Sequence, residues 1–268
     1  MNTDNPPSST TEPLKFTIAT VTFNATTLIE RTIKSVEEQD YPYVEHLIVD
    51  GNSRDNTLEH IHHYQERNSI AAVPHEITCI SEPDHGLYDA MNKALKMATG
   101  DYILFLNAGD KLHTPTLLSD LASQIGDKRP AVIFGHTDLV DADEKYIGSR
   151  RLSPPERLTW TSFKHGMLVC HQAFFAHKSL FRTIGYDMQY RFSADFDWCI
   201  RVMKQTDNLL HLPFTVADYL HEGMTTRNHR ASLIERFRLM CHHYGVLTTI
   251  IQHLWFVVRG IIKNKRNL

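Results

Sequence analysis

The 268 residues contain no uninterrupted apolar run of the roughly 18 residues that a bilayer-spanning helix needs, so a transmembrane protein is not expected. No leader with an apolar core opens the chain either. Residues 1–13 are rich in Ser, Thr, Asn and Pro and read as a disordered lead-in. Cysteine is scarce: Cys79, Cys170, Cys199 and Cys241 lie far apart and form no C-x-x-C pair. That spacing argues against a disulfide framework and a structural zinc site and suits a reducing compartment. A basic surplus is lacking too: 28 Lys and Arg face 31 Asp and Glu, so nucleic acid is not an expected partner. Together these absences point to a chain that works in the cytoplasm.

What is present is 42% apolar and 22% charged residues, enough for one large α/β domain with a tail. Phe16–Thr22 is a β-branched run of buried-strand type, and Thr26–Glu38 follows with Leu28, Ile29, Ile33 and Val36 at helical spacing. Val44–Asp50 reads as a second strand, Asn56–Gln65 as a helix and Ile77–Ile80 as a third strand. Leu87–Ala98 carries a helical stripe of Leu87, Met91, Ala94, Leu95 and Ala98, with Gly100 expected to close it as a C-terminal cap. Tyr102–Leu106 is apolar on both faces and is expected to be central. This alternation predicts a parallel sheet covered by helices, a nucleotide-binding layer. Beyond residue 110 the pattern loosens, with strands expected at Ala131–Gly135 and Gln172–Ala176 and helices at Glu156–Thr161 and Asp195–Lys204. From Ser232 the chain turns helical.

Carboxylates fall at strand ends, where open α/β sheets place ligands: Asp50 closes the second strand, and Asp110 follows the fourth after Asn107-Ala108-Gly109. Two acids on one sheet edge can meet a diphosphate through a hard divalent cation, Mg²⁺ or Mn²⁺. Either Asp alone could equally serve as a turn residue or helix N-cap.

The segments FTIATVTFN, HLIVDGNSRDNT, SEPDHGLYDAMNKALKMATGDYILFLNAGD and CHQAFF, in this order, resemble the inverting family 2 glycosyltransferases of the GT-A fold, especially exopolysaccharide and colanic-acid-type transferases. The resemblance spans residues 14–228 and implies a nucleotide-sugar-binding half at 14–110 and an acceptor-binding half at 111–228, with 229–268 as a helical extension. It implies that Thr22 and Asn24 lie beside the nucleotide, that Asp50 accepts a hydrogen bond from the base, and that Ser53 and Asp55 complete that loop. Asp84 precedes Gly86 in a turn. Asp89, Asn92 and Lys93, at i, i+3 and i+4, share a helix face that can bind base, ribose and phosphate, or form a solvated Asp–Lys surface. Asn107-Ala108-Gly109-Asp110 stands at the D-x-D metal motif with Asn107 and Gly109 replacing the usual acids, so Asp110 is the expected metal ligand and Asn107 can still offer an oxygen.

Ser193-Ala194-Asp195-Phe196-Asp197 resembles the segment of the catalytic base, which the resemblance places at Asp195; Asp197 is either a rival for that role or supports the helix start instead. Inversion needs a carboxylate that takes the acceptor hydroxyl's proton, and Lys93 or Arg191 can offset charge on the leaving diphosphate. His171, Gln172 and His221 are candidate acceptor or phosphate contacts. His60, His62, His63, His242 and His243 read as surface, and Trp198 and Tyr88 as core.

The implied partners are a nucleotide diphosphate sugar and a glycan or lipid-linked oligosaccharide acceptor in surface polysaccharide biosynthesis. Leu247–Ile262, followed by Lys263, Lys265 and Arg266, reads either as a helix lying on an anionic membrane surface or as one packed on the domain. Two rival functions remain open. A sugar nucleotidyltransferase would favour a glycine-rich phosphate loop after the first strand, where this chain has TFNATT. A non-catalytic glycan- or nucleotide-binding module would have no use for an acid at 195.

Overall fold

Phe16–Thr22 is buried along its whole length, as a strand covered on both faces must be, and forms β1. The computed structural model describes residues 12–221 and 229–266, the latter with side chains at 230–256 only. Helix α1 (Ile29–Glu37), β2 (Val44–Asp50), α2 (Thr57–Asn68), β3 (Glu76–Ser81), α3 (Leu87–Met97) and β4 (Tyr102–Phe105) complete the alternating first half. β1 pairs in parallel with β2 and β4, and β2 with β3. The second half supplies β5 (Lys111–Leu112), α4 (Leu117–Ile125), β6 (Val132–Val140), β7 (Tyr146–Ser149), β8 (Phe174–His177), α5 (Lys178–Phe181), α6 (Ala194–Met203) and β9 (Leu209–Leu220). Helices α7 (His229–Tyr244) and α8 (Val246–Arg266) follow.

The strands run in the order β3-β2-β1-β4-β8-β6-β9-β5, with β7 against β6. β4 is therefore central, as its two-faced apolarity requires. It is also where the sheet changes sense, because β8 joins it antiparallel. One face of this mixed sheet packs α3 and α6 around Phe105, Trp198 and Tyr186, and the other packs α4 through Leu117, Leu118 and Leu121. Trp198 and Tyr88 are buried in the first of these clusters.

The second half departs most from expectation. β6 continues five residues beyond Gly135, while the helix expected at 156–161 is a 3₁₀ segment at Trp160–His165. β8 starts at Phe174, after a 3₁₀ turn at His171–Ala173. β9 and the short strands β5 and β7 carry no strong sequence period, whereas α4, missed in the sequence, sets Leu117, Leu118, Leu121 and Ile125 at helical spacing. Gly100 is not the helix cap either. The α3 C-cap is Ala98, and Gly100 lies so close to β1 that a Cβ there would stand 2.6 Å from Thr17 Oγ1 and 2.9 Å from the Lys15 carbonyl. This close approach lets Gly100 N–H donate to Thr17 Oγ1 at 3.0 Å, and Thr17 in turn donates to the buried Glu45 carboxylate. Gly100→Ala is expected to destabilise the fold by about 1–3 kcal/mol, the range for overpacking a tight site, measured as a lower urea midpoint with unchanged slope.

Candidate active site

The loops that leave β1 and β2 are clasped by side chains folding onto backbone. Asn24, in a left-handed conformation (φ 48°), accepts from Arg54 N–H at 2.9 Å, and its own N–H donates to Ser53 Oγ at 2.8 Å. Asp55 accepts from Thr57 N–H (3.0 Å) and Oγ1 (2.5 Å) and from Thr26 N–H (3.1 Å). The Thr57 bond leads the causes that hold its carboxyl well below the usual carboxylate range. Asp50, expected to meet the nucleotide base, is fully buried. Its oxygens accept from Ser53 N–H (2.9 Å), Ser53 Oγ (2.5 Å) and Ser81 Oγ (2.6 Å). Its direct work in this geometry is to shape the loop.

Beside that loop lies a cleft of about 660 Å³, lined among others by Thr22, Phe23, Asp84, Tyr88, Tyr190 and Arg191. Thr22 is the register partner of Asp50, and its hydroxyl is buried without a hydrogen-bond partner. Asp84 turns its chain by accepting from Gly86 N–H at 2.8 Å. The proposed shared face of α3 is divided among structural tasks. Asp89 accepts from His85 N–H at 3.0 Å, Lys93 is held by Glu82 and the Pro83 carbonyl at 2.9 Å each, and Asn92 clamps the Tyr186 backbone through both amide atoms at 2.9 and 2.7 Å. Asn92 thus faces the second half of the chain, and neither Asp89 nor Lys93 is among the residues lining the cleft.

Tyr88 links the cleft to Asp195. Its hydroxyl donates to Asp195 Oδ1 at 3.0 Å, while His171 Nδ1 lies 3.3 Å from Asp195 Oδ2. The other His171 nitrogen, Nε2, lies 3.2 Å from Asn107 Nδ2. Nδ1 faces the carboxylate, so the ring donates to it in the neutral Nδ1–H form and in the protonated form alike. Asp195 is 23% exposed. Burial pushes its pKa up, but the bond from His171, the His171 charge, the Phe196 N–H and the Arg236 charge outweigh burial and bring it below the ordinary value. Asp195 is thus ionised at neutral pH and one side chain away from the cleft.

Asp197, its rival, is occupied: Arg201 Nε stands at 2.5 Å and His243 Nε2 at 2.7 Å. The His243 side chain is only 3% exposed, which corrects its reading as surface. His221 ends β9 with its N–H on the Val140 carbonyl at 3.1 Å, and the following Glu222–Thr225 lie outside the described residues.

Asp110 also departs from expectation. Both of its oxygens are committed, to Gln172 Nε2 at 2.8 Å and to Leu220 N–H at 3.0 Å, and it is 4% exposed. It stands behind the site as a brace and is not disposed as a metal ligand; Gln172, expected at the phosphate, is its partner. Asn107 Oδ1, by contrast, is a buried oxygen without a hydrogen-bond partner, a feature that fits a hard cation. Among the described residues the group of three metal-type side chains brought together is His113, Asp138 and Asp218, none of which lines the cleft.

Residues that the sequence reading missed or assigned otherwise include Ser81 on Asp50, Tyr88 on Asp195, and Glu235, whose carboxylate holds the loop before α6. Each works through a contact between distant segments, and no local pattern announces it.

The chain matches the family described as glycosyl transferase family 2 over residues 17–185. It is 31% identical over 215 residues to a PGL/p-HBAD biosynthesis glycosyltransferase of Mycobacterium bovis, covering 80% of this chain and 76% of that one. A second relative, an uncharacterized glycosyltransferase of Mycobacterium tuberculosis, is 30% identical over 213 residues, 78% of this chain and 74% of its own. Among solved structures, S. aureus TarS residues 1–349 in complex with UDP superposes with a TM-score of 0.64 at 16% identity, over 89% of this chain and 65% of that one. The mannosyltransferase PcManGT from Pyrobaculum calidifontis, in complex with GDP-Man and Mn²⁺, gives 0.63 at 17% identity, over 90% and 74%. These likenesses establish the GT-A fold.

Burial raises the Asp110 pKa to about 6 against the partial relief of its two hydrogen bonds. A carboxyl raised on folding favours the folded state while protonated and loses that contribution as pH climbs from about 4 through about 6. Asp110→Asn is expected to abolish this part of the pH dependence, flattening the stability difference between pH 4.5 and pH 7.5 by about 2–3 kcal/mol, read from urea unfolding at both pH values.

Proposed function

The chain is a member of glycosyl transferase family 2, and from that premise we propose that it moves a sugar from a nucleotide diphosphate sugar to a glycan or lipid-linked acceptor, with inversion, in surface polysaccharide biosynthesis. One observation carries the reading: an ionised Asp195, oriented by His171 and Tyr88, stands next to a cleft whose wall includes Tyr88 itself. The donor occupies that cleft. Thr22 offers an unpaired hydroxyl and the exposed ring of Phe23 a stacking surface, while Arg191 supplies positive charge toward the diphosphate. Asp84 and the loop held by Asp50, Ser53 and Asn24 set the shape of the nucleotide end.

In the transfer step Asp195 takes the proton of the acceptor hydroxyl as that oxygen bonds to the anomeric carbon, and the bond to the diphosphate oxygen breaks on the opposite face. His171 holds the carboxylate in place through a ring whose other nitrogen meets the Asn107 amide. A divalent cation would be held by Asn107 Oδ1 together with donor phosphate oxygens and water, and would neutralise the leaving diphosphate.

α8 adds a second surface. Its inward face packs Thr249, His253 and Phe256, and its outward face leaves Leu247, Ile250, Ile251, Leu254 and Trp255 exposed. Arg259, Lys263, Lys265 and Arg266 follow in the sequence. No helix among the described residues is long and apolar enough to cross a membrane, and an apolar stripe flanked by basic residues suits the anionic cytoplasmic surface of one.

Screening nucleotide sugars with Mg²⁺ or Mn²⁺ for release of nucleoside diphosphate tests the activity. Asp195→Asn is expected to lower transfer by roughly 10²–10⁴-fold with donor affinity and melting temperature near wild type, and near-wild-type turnover by this variant removes the base assignment. In liposome flotation, Ile251→Glu with Trp255→Glu is expected to abolish binding to vesicles rich in phosphatidylglycerol; retention of binding rejects the membrane surface.

A further inference from the structure

Helix α7 lies outside residues 17–185, the stretch that matches the family, yet two of its consecutive residues pack against the segment that carries Arg191 and Asp195. Glu235 accepts from the N–H groups of Arg191 and Phe192, one per oxygen, at 2.7 Å each. Those groups immediately precede α6, whose N-cap Ser193 makes no side-chain cap of its own. Glu235 therefore supplies negative charge at the start of α6 and fixes the loop that brings Arg191 to the cleft.

Arg236 follows. Its guanidinium carbon stands 5.6 Å from the centroid of the Phe196 ring, and Phe196 is the neighbour of Asp195. Among the described residues this cation is left without a counter-ion. Asp195 is already served by His171 and Tyr88 and forms no ion pair with Arg236. Arg236 has no salt bridge among the described residues, and its Nε is buried without a hydrogen-bond partner. A guanidinium whose plane is steadied by an aromatic ring, with an unspent donor close to the base, is suited to a planar or tetrahedral oxyanion.

We propose that Arg236 is a further substrate-binding residue of the transfer site and holds a phosphate oxygen, of the donor diphosphate or of a phosphate-bearing acceptor. The proposal rests on the glycosyltransfer reading above, but its test reads binding without turnover, so a failure to find sugar transfer leaves the result on Arg236 standing.

The full-length protein and its Arg236→Met and Arg236→Lys variants are titrated calorimetrically with UDP, GDP, uridine, guanosine, inorganic pyrophosphate, dodecyl phosphate and dodecyl glucoside. The Met variant keeps an apolar stem over Phe196, and its melting temperature checks the fold. Loss of one charge-assisted hydrogen bond weakens a phosphate ligand by roughly 10- to 100-fold. That loss is expected in Arg236→Met and largely recovered in Arg236→Lys, with uridine, guanosine and dodecyl glucoside unaffected. Loss on the nucleoside diphosphates and pyrophosphate assigns the donor; loss confined to dodecyl phosphate assigns the acceptor. Equal phosphate affinities in wild type and Arg236→Met overturn the proposal. So does an equal loss for phosphate and uncharged ligands, or a wild-type protein that binds none of the phosphates.

Discussion

A buried carboxylate joins the two halves of this protein. Asp110 follows central β4, where the parallel layer ends and the antiparallel strands begin, and its two oxygens reach Gln172 ahead of β8 and Leu220 at the end of β9. Thr32 of α1 reinforces the same turn, accepting from Gly109 N–H at 2.9 Å and donating to the Asp110 carbonyl at 2.7 Å. An ionisable group in such a place is costly, as its raised pKa shows. The cost is tolerated because one side chain satisfies groups from segments that have no backbone pairing with one another. The 3₁₀ turn carrying His171 is thereby held against the loop carrying Asn107, and the contact from Asn107 through His171 to Asp195 follows.

Four aspartates that look alike in the sequence are set apart by their surroundings. Asp50 spends its oxygens on two serines and organises a loop, while Asp110 braces the sheet. Asp197 is closed off by Arg201 and His243. Asp195 alone of these is both partly exposed and adjacent to the cleft, because its two partners come from opposite halves of the molecule and leave one side open. The C-terminal helices are part of the same construction: α7 caps α6 from outside through Glu235 and buries His243 on Asp197, while α8 rests on α7 through Phe237 and His253, 5.0 Å apart.

Much of the first half was legible in the residues. β1, β2, α3 and β4 appear within a few positions of where periodicity and β-branched runs put them, and the centrality of β4 follows from its apolarity on both faces. Gly100 shows the limit even there: a glycine after a helix reads as a cap, and only the approach of β1 reveals the steric reason for it. In the second half β9 mixes exposed Pro213 with buried Leu212, Val216 and Ala217, so no two-residue period marks it.

The sequence by itself determined the alternating α/β layer and the candidate acids at its strand ends, because strand and helix periods and loop chemistry are local properties written every two to four residues, and the order of its motifs already resembled the family that the comparisons show. Tertiary structure alone decided which acid stands beside the cleft, which is buried as a brace, that an imidazole from residue 171 stands between Asn107 and Asp195, and that a helix some 40 residues beyond Asp195 packs Glu235 on the loop before α6 and Arg236 on the Phe196 ring. The physical reason is that burial and hydrogen-bond partnership, which set the charge and freedom of a carboxylate, are created only when segments distant in sequence pack together.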